Sequence, residues 1–291
     1  MSKCILTFDI EDWFHVLDNE ETNKISLWQL YPSILEEGVL KILDFLERRK
    51  ITATHFILGW VADHYPDLIA EIQRRGHEIA CHSYAHQLVY QQSPRDFDYD
   101  LSRAIDAIHT ATGVVCKAYR APGFSITKDS LWALDILSES GIEVDSSIFL
   151  HPRAHGGLQV PGLTVPSRVQ LKSGRQIDVW PLVPDIIFGR KLFLSGGGYF
   201  RVTPKHVLFS AFNKNNYRMS YFHPRDFFEK IPKVSGISPF RQWKLSVGGG
   251  GALKKLDLLS YSVDFISLAQ ATQGTMLNEV HISYLEGNHL E

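Results

Sequence analysis

The first 150 residues alternate short β-rich runs with longer stretches of helical periodicity, a pattern that restricts the chain to an α/β architecture around a parallel sheet. Cys4 to Ile10 is an apolar run ending in acidic residues. Over residues 33–49, Leu35, Val39, Ile42, Leu43 and Leu46 recur at helical spacing. Ala53 to Leu58 returns to strand, and residues 61–75, with Leu68, Ile69 and Ile72, return to helix. Gly76 closes that helix and Glu78 to Cys81 opens the next strand. A helix over 94–110 leads to a strand at Lys117–Arg120, and a helix over 128–139 leads to Glu143–Ser147. Asp178 to Val183 and Arg218 to His223 read as two later strands. The number of such runs, several ending in chemically loaded residues, favours a barrel with its chemistry at the strand C-termini.

No composition shift or internal repeat divides the 291 residues, so one elaborated domain is expected. Residues 151–175, rich in Gly, Pro and His, read as a surface insertion, and the segment after Thr272 as a C-terminal extension whose apolar residues suit packing on a neighbour. With 44% hydrophobic and 21% charged residues the chain is too apolar for disorder. Thirty basic against 32 acidic side chains leave a net charge of −2 and no basic stripe for a nucleic acid. Cys4, Cys81 and Cys116 are too few and scattered for a disulfide framework or a CxxC zinc site, and they fit a reducing compartment. The N-terminus runs straight into a strand with no signal-peptide pattern, and no stretch of about 18 apolar residues predicts a membrane span. A cytoplasmic protein is the expectation.

Four constellations carry chemistry. His82 and His86, directly after a strand, stand at i and i+4; on a helical turn both imidazoles would face one divalent cation. An HxxxH alone is a weak signal, but its place at a strand end strengthens it. Phe8-Asp9-Ile10-Glu11-Asp12-Trp13 sets three carboxylates within four residues, which repel one another unless a cation or a positive partner neutralises them. The bland alternative is an acidic solvated loop. A carboxylate added to two imidazoles completes a three-ligand set with open positions, and a second carboxylate off the metal would serve as a base. Tyr119-Arg120-Ala121-Pro122-Gly123 ends a strand with an arginine suited to hold such a carboxylate ionised. Ser220-Tyr221-Phe222-His223-Pro224 ends another with a histidine, which taken singly reads as structural. The glycine runs Ser195–Gly198 and Gly248–Gly251 lack the P-loop and GxGxxG contexts and read as loops.

Together, and in this order, these pieces resemble the NodB-type polysaccharide deacetylases, carbohydrate esterase family 4. The resemblance runs from about residue 4 to 150 and resumes near 218–228. It is similar above all to the subgroup encoded with exopolysaccharide and O-antigen clusters, through the runs Asp9–His15, Tyr119–Thr127, Val144–Phe149, Gly196–Arg201 and Tyr221–Phe227. The resemblance implies the distorted (β/α) deacetylase barrel of about seven strands and a metal-dependent hydrolase acting on an N-acetylated sugar, in a polysaccharide or its lipid-linked precursor. It implies Asp9 as catalytic base, His82 and His86 as metal ligands, Arg120 as the arginine that holds the base, and His223 as the general acid. Asp178 falls where the family has a carboxylate that tunes that histidine, although its spacing to His223 is long.

Two departures from the family pattern stand out. The second carboxylate of the first motif is displaced, so Asp12 or Glu11 must reach the metal, with Asp12 favoured as the shorter side chain. Gly123 replaces the usual tyrosine after the proline; its N–H still suits an oxyanion, but the ring is lost. Zn²⁺ suits the donor set, as do Co²⁺, Ni²⁺ and Fe²⁺. Trp13 and Tyr199 are the aromatics expected to stack on sugar. The alternatives are a related amidohydrolase or deformylase on a small or lipid-linked sugar, and a non-catalytic carbohydrate-binding relative that has lost its metal.

Overall fold

In the computed structural model, which describes residues 2–17, 19–160, 163–187, 189–214 and 217–287, every residue of the first strand except Lys3 is buried. A strand buried on both faces is what the continuous apolar run of a parallel sheet demands. The strands are β1 (Ser2–Ile10), β2 (Thr54–Ile57), β3 (Glu78–Cys81), β4 (Ala118–Tyr119), β5 (Val144–Asp145) and β6 (Ser167–Gln170). They continue as β7 (Gln176–Val179), β8 (Asp185–Ile187), β9 (Arg190–Leu192), β10 (Met219–Phe222), β11 (Val263–Ile266) and β12 (Asn278–His281). The chain forms two compact units, each assembled from separate stretches.

The first unit comprises Met1–His55, Glu71–Glu78 and Asp185–Ala271. Its β1 is flanked in parallel by β10, with Ile5 opposite Met219 and Phe8 opposite Phe222, and by β11, with Ser2 opposite Val263. The helix Leu35–Arg49 buries the expected stripe of Leu35, Val39, Ile42, Leu43 and Leu46 and ends at Lys50, in the left-handed region at φ 54°. Its Gly38 faces Pro224: a Cβ there would lie 2.7 Å from the proline Cβ, so only glycine lets the helix come so close to the turn that follows β10.

The second unit comprises Phe56–Ala70, Ile79–Pro184 and Thr272–Glu291. Here β3, β4, β5 and β7 run parallel, with Cys81 opposite Tyr119, Tyr119 opposite Asp145, and Asp145 opposite Val179. β6 returns antiparallel to β7, and β12 lies parallel to β6. The helix Pro94–Thr112 starts with Ser93 accepting from Asp96 N–H and stops at Gly113, φ 72°. It packs on the helix Gly59–His64, where a Cβ on Gly59 would come within 2.7 Å of Ala104 Cα.

Several expectations need correction. The single helix over 61–75 is two, Gly59–His64 and Pro66–Arg74, because the residue before a proline is forced out of helical geometry. Residues 151–175 are not merely a surface insertion: Leu158, Val160, Leu163, Val169 and Leu171 are buried and β6 lies among them. Residues 161 and 162 lie outside the described residues, as do 288–291 of the C-terminal segment. That segment supplies β12. The strands β6, β8, β9, β11 and β12 are additional to those expected from the sequence. No helix among the described residues is long and apolar enough to cross a membrane.

Candidate functional site

In the first unit, β1 delivers Asp9, Glu11 and Asp12, all buried. Their surroundings divide their roles. Both Asp12 oxygens are engaged locally: Oδ1 accepts from Trp13 N–H at 2.7 Å and Ile34 N–H at 3.4 Å, and Oδ2 accepts from Ser33 Oγ at 2.5 Å. It thereby ties the post-strand loop to the start of the helix Leu35–Arg49. Burial raises its pKa, opposed by these three hydrogen bonds. Glu11 instead accepts from Arg225 Nη1 at 2.6 Å through Oε1, an atom that also lies 3.3 Å from His223 Nε2. Asp9 Oδ2 is 3.9 Å from the same Nε2.

His223 ends β10, and Pro224 starts a short 3₁₀ turn that returns Asp226 to it. Asp226 Oδ2 accepts from His223 N–H at 2.9 Å and lies 3.2 Å from His223 Nδ1. Burial alone would raise the Asp226 carboxyl, but the hydrogen bond and charge of His223, with Arg201 and Arg225, hold it well below the usual carboxylate range. Arg201 Nε sits 3.5 Å from Asp226 Oδ1 in a fully buried pair. An ionised carboxylate on Nδ1 leaves Nε2 to face the acidic groups at the end of β1, the arrangement of an oriented acid–base histidine.

The expected tuning carboxylate is therefore corrected. His223 has Asp226, three residues on, while Asp178 on β7 is engaged by Arg168 through two hydrogen bonds of 2.8 and 3.1 Å. A histidine followed by proline and an acid at i+3 has the spacing of a capping box, the signal that would have found Asp226.

In the second unit His82 and His86 follow β3, but not on a helical turn. Ser83 and His86 have φ of 65° and 52°, and the segment is a loop. The loop is held from below by Asp100 of the helix Pro94–Thr112, which accepts from Tyr84 N–H at 2.8 Å and Ala85 N–H at 2.9 Å. Burial raises the Asp100 carboxyl, against those two bonds. Ser83 Oγ and Tyr119 Oη share a hydrogen bond of 2.8 Å, tying the loop to β4. The two imidazoles are buried, with ring centroids 5.4 Å apart. His82 Nδ1 lies 2.7 Å from the Arg120 carbonyl oxygen, which can only accept, so Nδ1 carries the proton and Nε2 keeps its lone pair. Metal-binding histidines are oriented in this way.

Arg120 itself is fully buried, its guanidinium 4.0 Å above the Phe56 ring and donating from Nη2 to Ser146 Oγ at 3.0 Å. Beneath it, Ser147 Oγ accepts from Ala121 N–H at 2.8 Å and donates to Asp145 at 2.6 Å. Burial pushes the Asp145 carboxyl up to about 6, opposed by Ser147 and Arg120. The chain then turns at Gly123, φ 64°, a conformation glycine adopts without strain.

Of the two aromatics expected to meet sugar, Trp13 does not fit. It is buried, donates from Nε1 to Pro32 O at 2.8 Å and packs edge-on against Phe14 and Tyr31. Tyr199, on the helix Gly197–Val202, is exposed. The preceding glycine run lies along β10, where a Cβ on Gly196 would meet Tyr221 O at 2.1 Å.

Two family models match successive stretches of the chain. Residues 5–143 match the family model described as polysaccharide deacetylase, and residues 146–273 match a domain of unknown function, DUF3473. The chain is 25% identical over 118 residues to a peptidoglycan-N-acetylglucosamine deacetylase of Bacillus cereus, covering 36% of this chain and 43% of that protein. It is 26% identical over 99 residues to a chitooligosaccharide deacetylase of a Bradyrhizobium species, covering 34% and 43%. The chain thus spans less than half the length of either relative. Among solved structures, a Mycobacterium smegmatis protein described as a candidate polysaccharide deacetylase aligns over 96% of this chain and 94% of its own, with a TM-score of 0.62 and 16% identity. A family 4 carbohydrate esterase from Streptomyces lividans aligns over 95% and 98%, at a TM-score of 0.50 and 15% identity. These likenesses are of fold, and the α/β deacetylase fold is the one expected from the order of strands and helices. Residues 5–143 of this chain belong to the polysaccharide deacetylase family.

Proposed function

We propose that the protein is a metal-dependent deacetylase that hydrolyses the N-acetyl group of an amino sugar, in a polysaccharide or in its lipid-linked precursor. The observation that carries this reading is the hydrogen bond between His82 Nδ1 and the Arg120 carbonyl, which presents Nε2 as a ligand. His82 and His86, with Glu11 as the carboxylate of the first motif, are the ligand set that the family resemblance implies, and all three are buried. Glu11 is preferred to Asp12 because both Asp12 oxygens already serve the backbone and Ser33. Two imidazoles and a carboxylate suit Zn²⁺, with Co²⁺, Ni²⁺ and Fe²⁺ accepted by the same donors.

A divalent cation held there supplies Lewis acidity towards the acetyl carbonyl and lowers the pKa of water. In the proposed reaction Asp9 takes the proton of the attacking water, and Arg120 is the arginine that the family resemblance pairs with this base. The Gly123 N–H meets the oxyanion that develops on the acetyl carbonyl. His223, held by Asp226, gives a proton to the sugar nitrogen as the C–N bond breaks, because an amide anion is too poor a leaving group. The products are acetate and a free amine. Tyr199 is the proposed sugar-stacking aromatic. The peptidoglycan and chitooligosaccharide deacetylases among the relatives support an N-acetylglucosamine-type substrate.

The test is acetate release from N-acetylated oligosaccharides by metal-loaded protein, with elemental analysis alongside. Turnover that requires metal and disappears in His82→Ala is expected. Protein that binds metal but releases no acetate from polymeric, oligomeric or lipid-linked N-acetyl sugars overturns the reading.

A further inference from the structure

Charge along the chain is strongly segregated. Between Arg190 and Lys255 there are thirteen lysines and arginines but only two carboxylates, Asp226 and Glu229, in a chain whose net charge is −2. Arg201, Arg218 and Arg225 are spent inside the first unit, on Asp226, Asp185 and Glu11 respectively. Lys205, Lys230, Lys233 and Lys244 are exposed. Asp226 is buried, so Glu229 is the single exposed carboxylate in this stretch.

The same stretch exposes aromatic rings. On the helix Pro239–Ser246, Phe240 and Trp243 stand one turn apart, 67% and 55% exposed, with their rings stacked at a centroid distance of 5.9 Å. No side chain of this helix is fully buried. The neighbouring helix Gly197–Val202 adds Tyr199 at 55% and Val202 at 50%. The two helices are fastened together: Arg201 donates from Nη1 to Leu245 O at 2.6 Å and from Nη2 to Lys244 O at 2.8 Å. Arg241 pins the first helix to the β1 side of the unit by donating to Leu17 O at 2.7 Å. The exposed rings are therefore presented on a braced surface.

Two large aromatics on one exposed helix face, with the Lys244 ammonium 5.7 Å from the Phe240 ring centroid, cannot be accounted for by packing within the unit. Their chemistry is that of an interfacial anchor: rings enter the boundary between headgroups and acyl chains, and ammonium groups meet anionic headgroups. We propose that the first unit docks peripherally on an anionic lipid surface through Phe240, Trp243 and the lysines Lys230, Lys233 and Lys244. Charge complementarity selects this occupant. A purely polar polyanion would leave the two rings without a function, and an uncharged sugar chain would leave the lysines without one. The inference does not depend on the deacetylase reading.

The experiment is flotation of the full chain with vesicles of phosphatidylcholine alone and of phosphatidylcholine with phosphatidylglycerol. Binding to the anionic vesicles alone, weakened by added salt, is the expected result. Phe240→Ser with Trp243→Ser, and separately Lys230→Glu with Lys233→Glu and Lys244→Glu, are each expected to lower partitioning by about tenfold or more. Both sets lie on the surface, and an unchanged thermal unfolding transition checks that the fold is intact. Absence of binding to anionic vesicles, or equal partitioning of folded variants, overturns the proposal. Retention by a soluble anionic polysaccharide without retention by vesicles also overturns it, in favour of a polyanion site.

Discussion

His223 Nδ1 lies 3.2 Å from Asp226 Oδ2, on a turn in which the same oxygen also accepts the His223 backbone N–H. One carboxylate thus sets the rotamer, the tautomer and the charge environment of the ring. Its own ionised state is secured by Arg201 and Arg225.

Asp226→Asn removes the charge while keeping the shape. The variant is expected to lose on the order of 10²-fold in kcat, with little change in KM and with metal content unchanged. Steady-state kinetics with elemental analysis checks this; full turnover in the variant removes Asp226 from the acid's support.

Glu11 and Asp12 are adjacent but separable. Glu11→Gln is expected to lower bound metal sharply and to leave Arg225 short of its buried partner. Asp12→Asn is expected to retain metal and to cost about 1–2 kcal/mol of stability, because Trp13 N–H, Ile34 N–H and Ser33 Oγ depend on its carboxylate. Metal content and urea unfolding of both variants decide the matter. The reverse pattern would make Asp12 the ligand.

Asp100 holds the histidine loop without contributing a donor of its own. Asp100→Ala leaves the Tyr84 and Ala85 N–H groups without their acceptor, and a cost of about 1–3 kcal/mol is expected. Because that loop carries both imidazoles, metal affinity should fall by roughly 10–100-fold, as when an outer-shell partner is lost. A metal titration of the folded variant measures it, and wild-type affinity contradicts it.

Acid sensitivity has a local source in His55, buried in the first unit with Phe8 stacked on its ring at 5.2 Å. Burial, and then the neighbouring His77, holds its pKa well below 6.5. The unfolded chain protonates this ring near pH 6.5 and the native state does not, so the unfolded state binds more protons below that pH. The stabilisation is present above pH 6.5 and is lost as pH falls towards the folded pKa. His77, lowered to about 4 by burial and Arg75, adds to the same slope. His55→Leu should flatten the fall in Tm between pH 6.5 and pH 4. An unchanged slope would assign the acid sensitivity to other groups.

How far such a site can be read from sequence depends on the range of the interaction concerned. The residue types at the ends of β1, β3, β4 and β10 are visible because a buried strand is a local hydrophobic pattern and its last residue is simply next in line. Asp9, His82, Arg120 and His223 are found in that way. The partnership of His223 with Asp226 is equally local, but a histidine at a capping position is an unusual cue. Trp13 is expected at a sugar because acidic loop residues surround it in the sequence. Its burial comes from the contacts with Pro32, Tyr31 and Phe14.

The sequence by itself determined the α/β alternation and the chemical groups at the strand ends, since both follow from local periodicity and spacing. The tertiary structure alone decided which groups are already engaged. His82 is aimed by a carbonyl 38 residues away, Asp12 is consumed by a helix start 22 residues on, and Arg201 is fastened to carbonyls more than 40 residues later. A hydrogen bond has one geometry and each lone pair a limited capacity. Those commitments exist only once the folded chain has brought donor and acceptor together.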